Sequence, residues 1–420
     1  MKRYLRHPVF QNALALYSVQ IAEYLLPMIT IPYLARILQP AAWGKIVYAQ
    51  NFSYWIVMVT EYGFGFSASR EIARHPGEGD RHAELASGVV GANLMLLLPA
   101  LLVAVIARFT VPEFRDNPLY LWLSAGIAIA TGFRPFWYFQ GIEKMRFPAW
   151  LNVLGRFLYA AGIFALVRSE GQGWVVLTLQ LLSGLVVTAI LGISMYRRIS
   201  FEWPTIERAV AALKAGWTIF LSRSATSLYT IANTFILGLF AAPAAVAYYG
   251  GAERVILAVV SLMTPFTQAL YPRMSHLAAS DKSKAEGALR LGLAVFGIVG
   301  LATGAALIAT APWVIRILLG PSYKPAVGVL RVSSLIVPLV SVSNILGMQW
   351  MLAFGMDRAF NRISLCAGIL NVFLAVFLSY RFGPVGTAWS VVLVQSFVTL
   401  SMTVLFLRSR TAQSPQPVHS

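Results

Sequence analysis

The sequence predicts an all-α integral membrane protein with about twelve transmembrane helices, in two six-helix pseudo-symmetric bundles around a central cavity. Three observations carry this. Of 420 residues, 58% are hydrophobic and only 12% are charged. That is about half the charged share of a soluble domain, too little to coat a water-facing surface. The apolar residues fall in blocks of roughly 20, the length that crosses a bilayer as a helix, and mean hydropathy is +0.69. Finally, short motifs recur between the two halves.

The expected spans are 10–37, 44–68, 85–107, 117–139, 148–167 and 173–196, then 216–239, 246–271, 288–311, 326–353, 360–380 and 384–407. They divide the chain into an N-terminal bundle (1–196), a cytoplasmic linker (197–215), a C-terminal bundle (216–408) and a disordered cytoplasmic tail (409–420). The basic start Met1-Lys2-Arg3-Tyr4-Leu5-Arg6 mimics a secretory leader. The apolar stretch Phe10–Leu38 is too long for one, is interrupted by Glu23 and lacks a small-residue cleavage site. It reads as a retained first helix.

Orientation follows from Lys and Arg in the connections. Twenty lie on the side of the two termini, nine on the other side and four inside spans, which predicts cytoplasmic termini. The recurring motifs are Pro40-Ala41-Ala42 with Pro243-Ala244-Ala245, and Gly141-Ile142-Glu143-Lys144 with Gly355-Met356-Asp357-Arg358, at offsets of 203 and 214. Two parallel six-helix repeats are one known transporter plan.

Composition and motifs exclude several function classes. A net charge of +17 could suggest nucleic acid, but such readers concentrate basic residues on a soluble fold, and none is predicted; nucleic acid is not an expected partner. The single cysteine, Cys366, cannot form an intramolecular disulfide. No G-x-x-x-x-G-K-[ST] occurs, so the chain has no P-loop. The five histidines lack metal-ligand neighbours at i+4, there is no G-x-S-x-G, and no D-x-D pair exists. The expectation is a protein that is not an enzyme and has no cofactor, catalytic residue or metal site.

Seven charged residues fall within or at the ends of apolar spans: Glu23, Glu61, Arg134, Arg156, Arg223, Glu253 and Arg254. Each costs about 2.5–3.5 kcal/mol to insert on translocon scales, and so needs a partner, water or a function. One reading makes them buried ion pairs holding helices together. The other makes Arg156, Arg223, Arg254 and Arg134 an anion-binding set, because the guanidinium fork binds phosphate bidentately and keeps its proton. Arg134, beside Pro135 at a span end, could equally snorkel to the headgroups. Nothing in the chain hydrolyses a nucleotide, so coupling to H+ or Na+ would fall to carboxylates, Glu61 and Glu23. Glu61, some 18 residues along the second span, should be desolvated there. Trp137-Tyr138-Phe139 read as an interfacial aromatic belt. Pro27, Pro32, Pro265 and Pro338 should kink their helices, and Gly300 with Gly304 fits a small-xxx-small packing face.

Local motifs add a resemblance. Pro32-Tyr33-Leu34-Ala35-Arg36-Ile37-Leu38, Gly44, Glu61-Tyr62-Gly63-Phe64 and Ser69-Arg70-Glu71-Ile72-Ala73 resemble the opening of Wzx-type polysaccharide (O-antigen) repeat-unit flippases, in the multidrug/oligosaccharidyl-lipid/polysaccharide exporter superfamily. The block from Phe133 to Met145 is similar to that family's exit from span 4. The resemblance implies a flippase in the bacterial inner membrane. It would move undecaprenyl-pyrophosphate-linked oligosaccharides to the outer leaflet by alternating access. Its partners would be the lipid-linked oligosaccharide, membrane lipids, a coupling H+ or Na+, and other polysaccharide assembly proteins. The pathway would be O-antigen, capsule or exopolysaccharide synthesis.

Three other readings compete. A multidrug-type cation antiporter should present acidic residues, whereas four buried arginines outnumber three buried glutamates here. Lipid II flippases usually have two further helices. A membrane polysaccharide polymerase would be expected to carry a sizeable outer loop for acceptor chemistry.

Overall fold

The computed structural model describes residues 8–230 and 232–411. Side chains are described from Leu26 onward, except around Arg223, at scattered positions from 264 to 283, and at the last two residues. Of the predicted tail (409–420), residues 409–411 belong to the last helix and those from 412 onward lie outside the described residues. Among the described residues every regular element is helical, as the sequence predicts. The chain divides into two compact units, Met1–Ser224 and Ala225–Ser420.

The first unit begins with α1 (Pro8–Glu61), which is two legs joined at Gln39. Gln39 adopts φ 57 and ψ 166, and Pro40 cannot donate the backbone bond that would continue the helix. The Gln39 side-chain amide donates to the Arg36 carbonyl at 2.8 Å, supplying a donor at the end of the first leg. Then follow α2 (Phe64–Arg74), α3 (Gly79–Thr110), the short α4 (Pro112–Asp116), α5 (Pro118–Gly132), α6 (Phe136–Gly141), α7 (Arg146–Leu166), α8 (Gly173–Tyr196) and α9 (Ile206–Thr230), whose residues from Ala225 on belong to the second unit. α1 packs on α5, α7 and α8, and α2 packs on α6.

The second unit contains α10 (Ala232–Phe240), α11 (Pro243–Ser261), α12 (Thr264–Ser280), α13 (Lys282–Leu318), α14 (Ala326–Ser333), α15 (Ile336–Asn344) and α16 (Asp357–Thr411), with a π-helical stretch over Ile345–Leu352. α16 breaks at Gly383 (φ 58, ψ −141), again one residue before a proline, Pro384. Pro265 does not kink a continuous helix: it sits in the first turn of α12, after an interruption at Leu262 and Met263. Pro338 likewise lies in the first turn of α15, just after the break between α14 and α15. In both places the proline's missing N–H falls where a helix has unpaired donors anyway.

Seven helices or continuous helical stretches among the described residues are long and apolar enough to cross a membrane: Gly79–Thr110, Arg146–Leu166, Glu170–Tyr196, Pro243–Ser261, Lys284–Leu318, Ala326–Leu352 and Asp357–Ser409. The last carries two predicted spans across the Gly383 break. The other predicted spans fall on the two legs of α1, on α5 with α6, and on α9 with α10. Apolar side chains point outward over much of this surface. Leu98, Phe109, Phe373 and Trp313 are exposed, and only 11% of the most apolar stretch of α13 is buried. A surface of this kind suits hydrocarbon, where helices satisfy their own backbone groups. Cys366, in an apolar run, faces outward on α16 rather than packing inside.

Small residues mark the close helix approaches. Gly300 and Gly304 of α13 lie against Ser341, Pro338 and the Ser334 carbonyl, the packing face their spacing predicts. The repeat in the sequence also has a backbone counterpart. Lys144 N–H donates to Phe139 O at 2.9 Å after a left-handed Glu143 (φ 56), and Met356 N–H donates to Met351 O at 2.8 Å after a left-handed Gly355 (φ 73). Both are six-to-one helix-end bonds of the Schellman type. Structurally, Glu143 therefore matches Gly355, two residues off the register of the sequence match.

Candidate functional site

In the first unit three predicted residues come together. Glu61 is the last residue of α1, because Tyr62 (φ 44) and Gly63 (φ 81) turn the chain left-handed. At Gly63 only glycine fits: a Cβ would stand 2.7 Å from Ile219 Cγ2. The strained Tyr62 is buried and held by its ring, which stacks on Phe220 at 4.4 Å. The Glu61-Tyr62-Gly63-Phe64 motif is thus the turn itself. Glu61 is exposed at this helix end rather than desolvated mid-helix, so the expected burial is not found.

α5 ends against that turn. A Cβ on Gly132 would clash with Thr60, and Asn93 Nδ2 donates to the Gly132 carbonyl at 3.0 Å. Two residues on is Arg134, in a tight turn where its N–H donates to Thr131 O and its carbonyl accepts from Phe136 N–H. Its side chain does not run out to the surface. The guanidinium passes 3.9 Å from where a Cβ on Gly184 of α8 would lie, and Nε is buried without a hydrogen-bond partner among the described residues.

Arg156, on α7, lies within electrostatic range of Arg134. Gly155 lets α7 close on α8, with a Cβ there only 2.9 Å from Val187 Cγ2, and Ser183 Oγ donates to the Gly155 carbonyl at 2.9 Å. Thr188 Oγ1 ties α8 to the Ala130 carbonyl of α5 at 2.7 Å. Arg134 consequently feels the charges of both Arg156 and Glu61. The set of three holds two cations and one carboxylate.

In the second unit, Glu253 on α11 accepts hydrogen bonds from Thr234 Oγ1 at 2.9 Å and Tyr249 OH at 3.3 Å. Arg254 acts electrostatically on Glu253 and on the fully buried Tyr323. Nearby polar pairing continues with Asn371 Nδ2 donating to Asn233 Oδ1 at 3.0 Å, both buried. Sequence reasoning missed Thr234, Tyr249, Asn233 and Asn371. The available signal was amide and hydroxyl side chains inside apolar runs. Arg223 lies on α9 and Glu23 on α1, but both side chains fall outside the described residues.

The Trp137-Tyr138-Phe139 belt is overturned. All three are buried, at 5%, 3% and 1% exposure. They form a core with Tyr62, Phe64, Ile72, Leu191 and Met195, because Gly141 lets α6 sit directly on α2. Their rings therefore pack inside the unit instead of facing headgroups.

A sequence profile of the family described as polysaccharide biosynthesis protein matches residues 9–278. The chain belongs to that family. The resemblance read from the local motifs is borne out. A protein of Escherichia coli (strain K12) named "Putative O-antigen transporter" is 28% identical over 404 residues, covering 95% of this chain and 96% of the relative. The fold is similar to that of the lipid II flippase MurJ in an inward closed conformation, with TM-score 0.71 and 14% identity, covering 94% of this chain and 87% of that one. An inward-facing multidrug resistance MATE family transporter of the MOP superfamily aligns with TM-score 0.60 and 18% identity, covering 94% of each. At such identities these two establish the shared fold of a multi-pass membrane protein.

Proposed function

We propose that this family member is a flippase. It carries polyprenyl-pyrophosphate-linked oligosaccharide repeat units from the cytoplasmic to the outer leaflet of the bacterial inner membrane, for O-antigen or a related surface polysaccharide. Family membership carries the reading, and the arginine set in the first unit supports it. A pyrophosphate with sugars cannot enter hydrocarbon unaided, because its charges and hydroxyls would lose their hydration. Arg134 and Arg156 replace part of that hydration with charge-assisted hydrogen bonds, and Arg223 and Arg254 are further candidates for the same role. Glu61, within range of Arg134, is the carboxylate assigned to coupling with H+ or Na+, with Glu23 as the second candidate. The Lys and Arg bias supports cytoplasmic termini.

The test is complementation of a strain lacking its O-antigen flippase, scored by surface polysaccharide and by membrane abundance of the protein. The wild type should restore polysaccharide. Losing one arginine–phosphate contact costs about 1.5–3 kcal/mol, or a 10- to 150-fold weaker interaction. Arg134→Ala and Arg156→Ala should therefore lose transport at normal abundance, with lysine variants retaining part of it. Alanine variants that restore polysaccharide as the wild type does would remove the arginines from the mechanism.

A further inference from the structure

The first unit holds a cavity of about 530 Å³ at the end formed by the α1 kink, the α4 connection and the segment leading into α8, within the size range of small-molecule sites. Its chemistry is carried by Lys45, Asp116, Asn117, Tyr120, Glu170 and Trp174.

These side chains are set by local structure. Asn117 caps the gap between α4 and α5, and its Nδ2 donates to Glu113 Oε1 at 2.9 Å. Lys45 Nζ donates to Asn117 Oδ1 at 3.4 Å and stands 3.9 Å from Glu113. The amide is thus oriented from both its donor and its acceptor ends. Gly173 opens α8, and a Cβ there would meet the Tyr120 hydroxyl at 2.6 Å and Ile46 Cδ1 at 3.3 Å. Glycine therefore lets the first turn of α8 close onto Tyr120 and brings the next residue, Trp174, to the wall, where it is 44% exposed.

We infer that this cavity is a glycan-binding subsite, which takes the sugar part of the lipid-linked oligosaccharide on the outer side. The placement on that side rests on the proposed orientation and function. An exposed indole offers a flat apolar face to the C–H groups of a pyranose ring. The amide, carboxylates and ammonium around it offer both acceptors and donors to hydroxyls. The balance of charge points the same way: one cation and two carboxylates repel a pyrophosphate, whereas they hydrogen-bond a neutral or weakly charged polyol. A tryptophan that merely anchors the helix at the bilayer surface has no need of an oriented polar ring beside it.

The experiment uses the purified full chain in lipid nanodiscs. The probe is the repeat-unit oligosaccharide of the host's own surface polysaccharide, released by mild acid and carrying neither lipid nor pyrophosphate. Binding is read by saturation-transfer NMR and calorimetric titration. Wild type should bind saturably. Trp174→Ala should weaken binding about tenfold or more through loss of the aromatic face, Trp174→Phe should keep most of it, and Asn117→Ala should weaken it as well. Trp203→Ala, a highly exposed tryptophan in the connection between α8 and α9, should bind as wild type. Absence of saturable binding, or unchanged binding by both alanine variants at 174 and 117, overturns the subsite. If the wild type restores surface polysaccharide yet does not bind the probe, the subsite falls and the flippase reading stands. If it binds through Trp174 yet restores nothing, the reverse holds.

Discussion

Gly141→Ala adds one methyl group where two helices touch. Gly141 closes α6 on α2, and a Cβ there would sit 2.5 Å from Ile72 Cβ, 2.6 Å from Ile72 Cγ2 and 2.8 Å from the Ser69 carbonyl oxygen. Carbon atoms pack at about 3.5–4.0 Å, so the methyl overlaps its neighbours by roughly an ångström. None of the three atoms can swing aside. Ile72 is β-branched, stiff at χ1 and only 1% exposed, and the other atom belongs to the backbone of α2. The helices must separate, which loosens the packing of Trp137, Tyr138 and Phe139 against Ile72 and Phe64. Overpacking of this kind costs about 1–3 kcal/mol, or a fall of roughly 2–12 °C in melting temperature for a unit of about 200 residues. The assay is thermal unfolding of the detergent-solubilised protein, followed by fluorescence-detected size exclusion. Gly192→Ala is the control: nothing lies within 4 Å of its Cβ position, and alanine in mid-helix gains about 1 kcal/mol over glycine. If Gly141→Ala melts with or above the wild type while Gly192→Ala behaves as expected, the close approach of α2 and α6 is wrong.

The same melt tests the Glu253 cluster. Thr234→Val leaves Glu253 Oε2 without its 2.9 Å donor and should cost about 1–3 kcal/mol, whereas Tyr249→Phe, which removes the longer 3.3 Å bond, should cost less; the opposite order would refute the assignment. Glu113, on the α4 connection outside the spans, has its pKa raised by burial first, with Lys45 and the Asn117 hydrogen bond opposing and Asp116 adding. Folding then favours the protonated acid, so its contribution to stability grows as pH falls from neutral toward the ordinary carboxylate range. The melting difference between wild type and Glu113→Gln should shift in favour of wild type over that window, and a flat difference would contradict it. Paired reporter fusions in the Arg197–Ala215 connection and near Ala242 should read cytoplasm and periplasm respectively, and the reverse pattern would remove the orientation drawn from the Lys and Arg bias.

Periodicity and proline made much of the fold legible. The gaps foreseen at 38–43 and 381–383 coincide with the left-handed residues Gln39 and Gly383, each followed by a proline. Apolar length is a local property, and a residue forced out of helical geometry before Pro leaves a local mark. What sequence reasoning missed depends on contacts between distant segments. Trp137, Tyr138 and Phe139 look like a belt because they cluster at a span end; they are core because a glycine four residues after Trp137 admits another helix. Pro265 and Pro338 look like kinks in long apolar runs, and sequence alone does not say that the preceding helices stop first. The site divided similarly. Arg134 and Arg156 stood out as charges in apolar runs, but their meeting needs Gly155 and Gly184 on neighbouring helices, and Glu61 lost its expected burial to the turn at Tyr62 and Gly63. The cavity at Trp174 went unseen because its residues come from three connections, each unremarkable alone.

The first unit presents two environments of opposite character. Around Arg134 two guanidinium groups accompany one carboxylate, Glu61. In the cavity at Trp174 one ammonium accompanies two carboxylates and an exposed indole. An arginine set alone would suit any phosphate, and an aromatic polar cavity alone would suit any sugar. A lipid-linked oligosaccharide has a pyrophosphate at one end of its headgroup and hydroxyl-rich sugar rings at the other, and it needs both. On the proposed reading the two sets therefore act on different parts of one substrate, and their variants should fail differently. Arg156→Ala should leave binding of the lipid-free sugar intact while abolishing transport. Trp174→Ala should weaken that binding and slow transport most for the longest repeat units. If each variant instead impaired both readouts equally, the two sets would not be separate, and the division of labour drawn from their charges would be refuted.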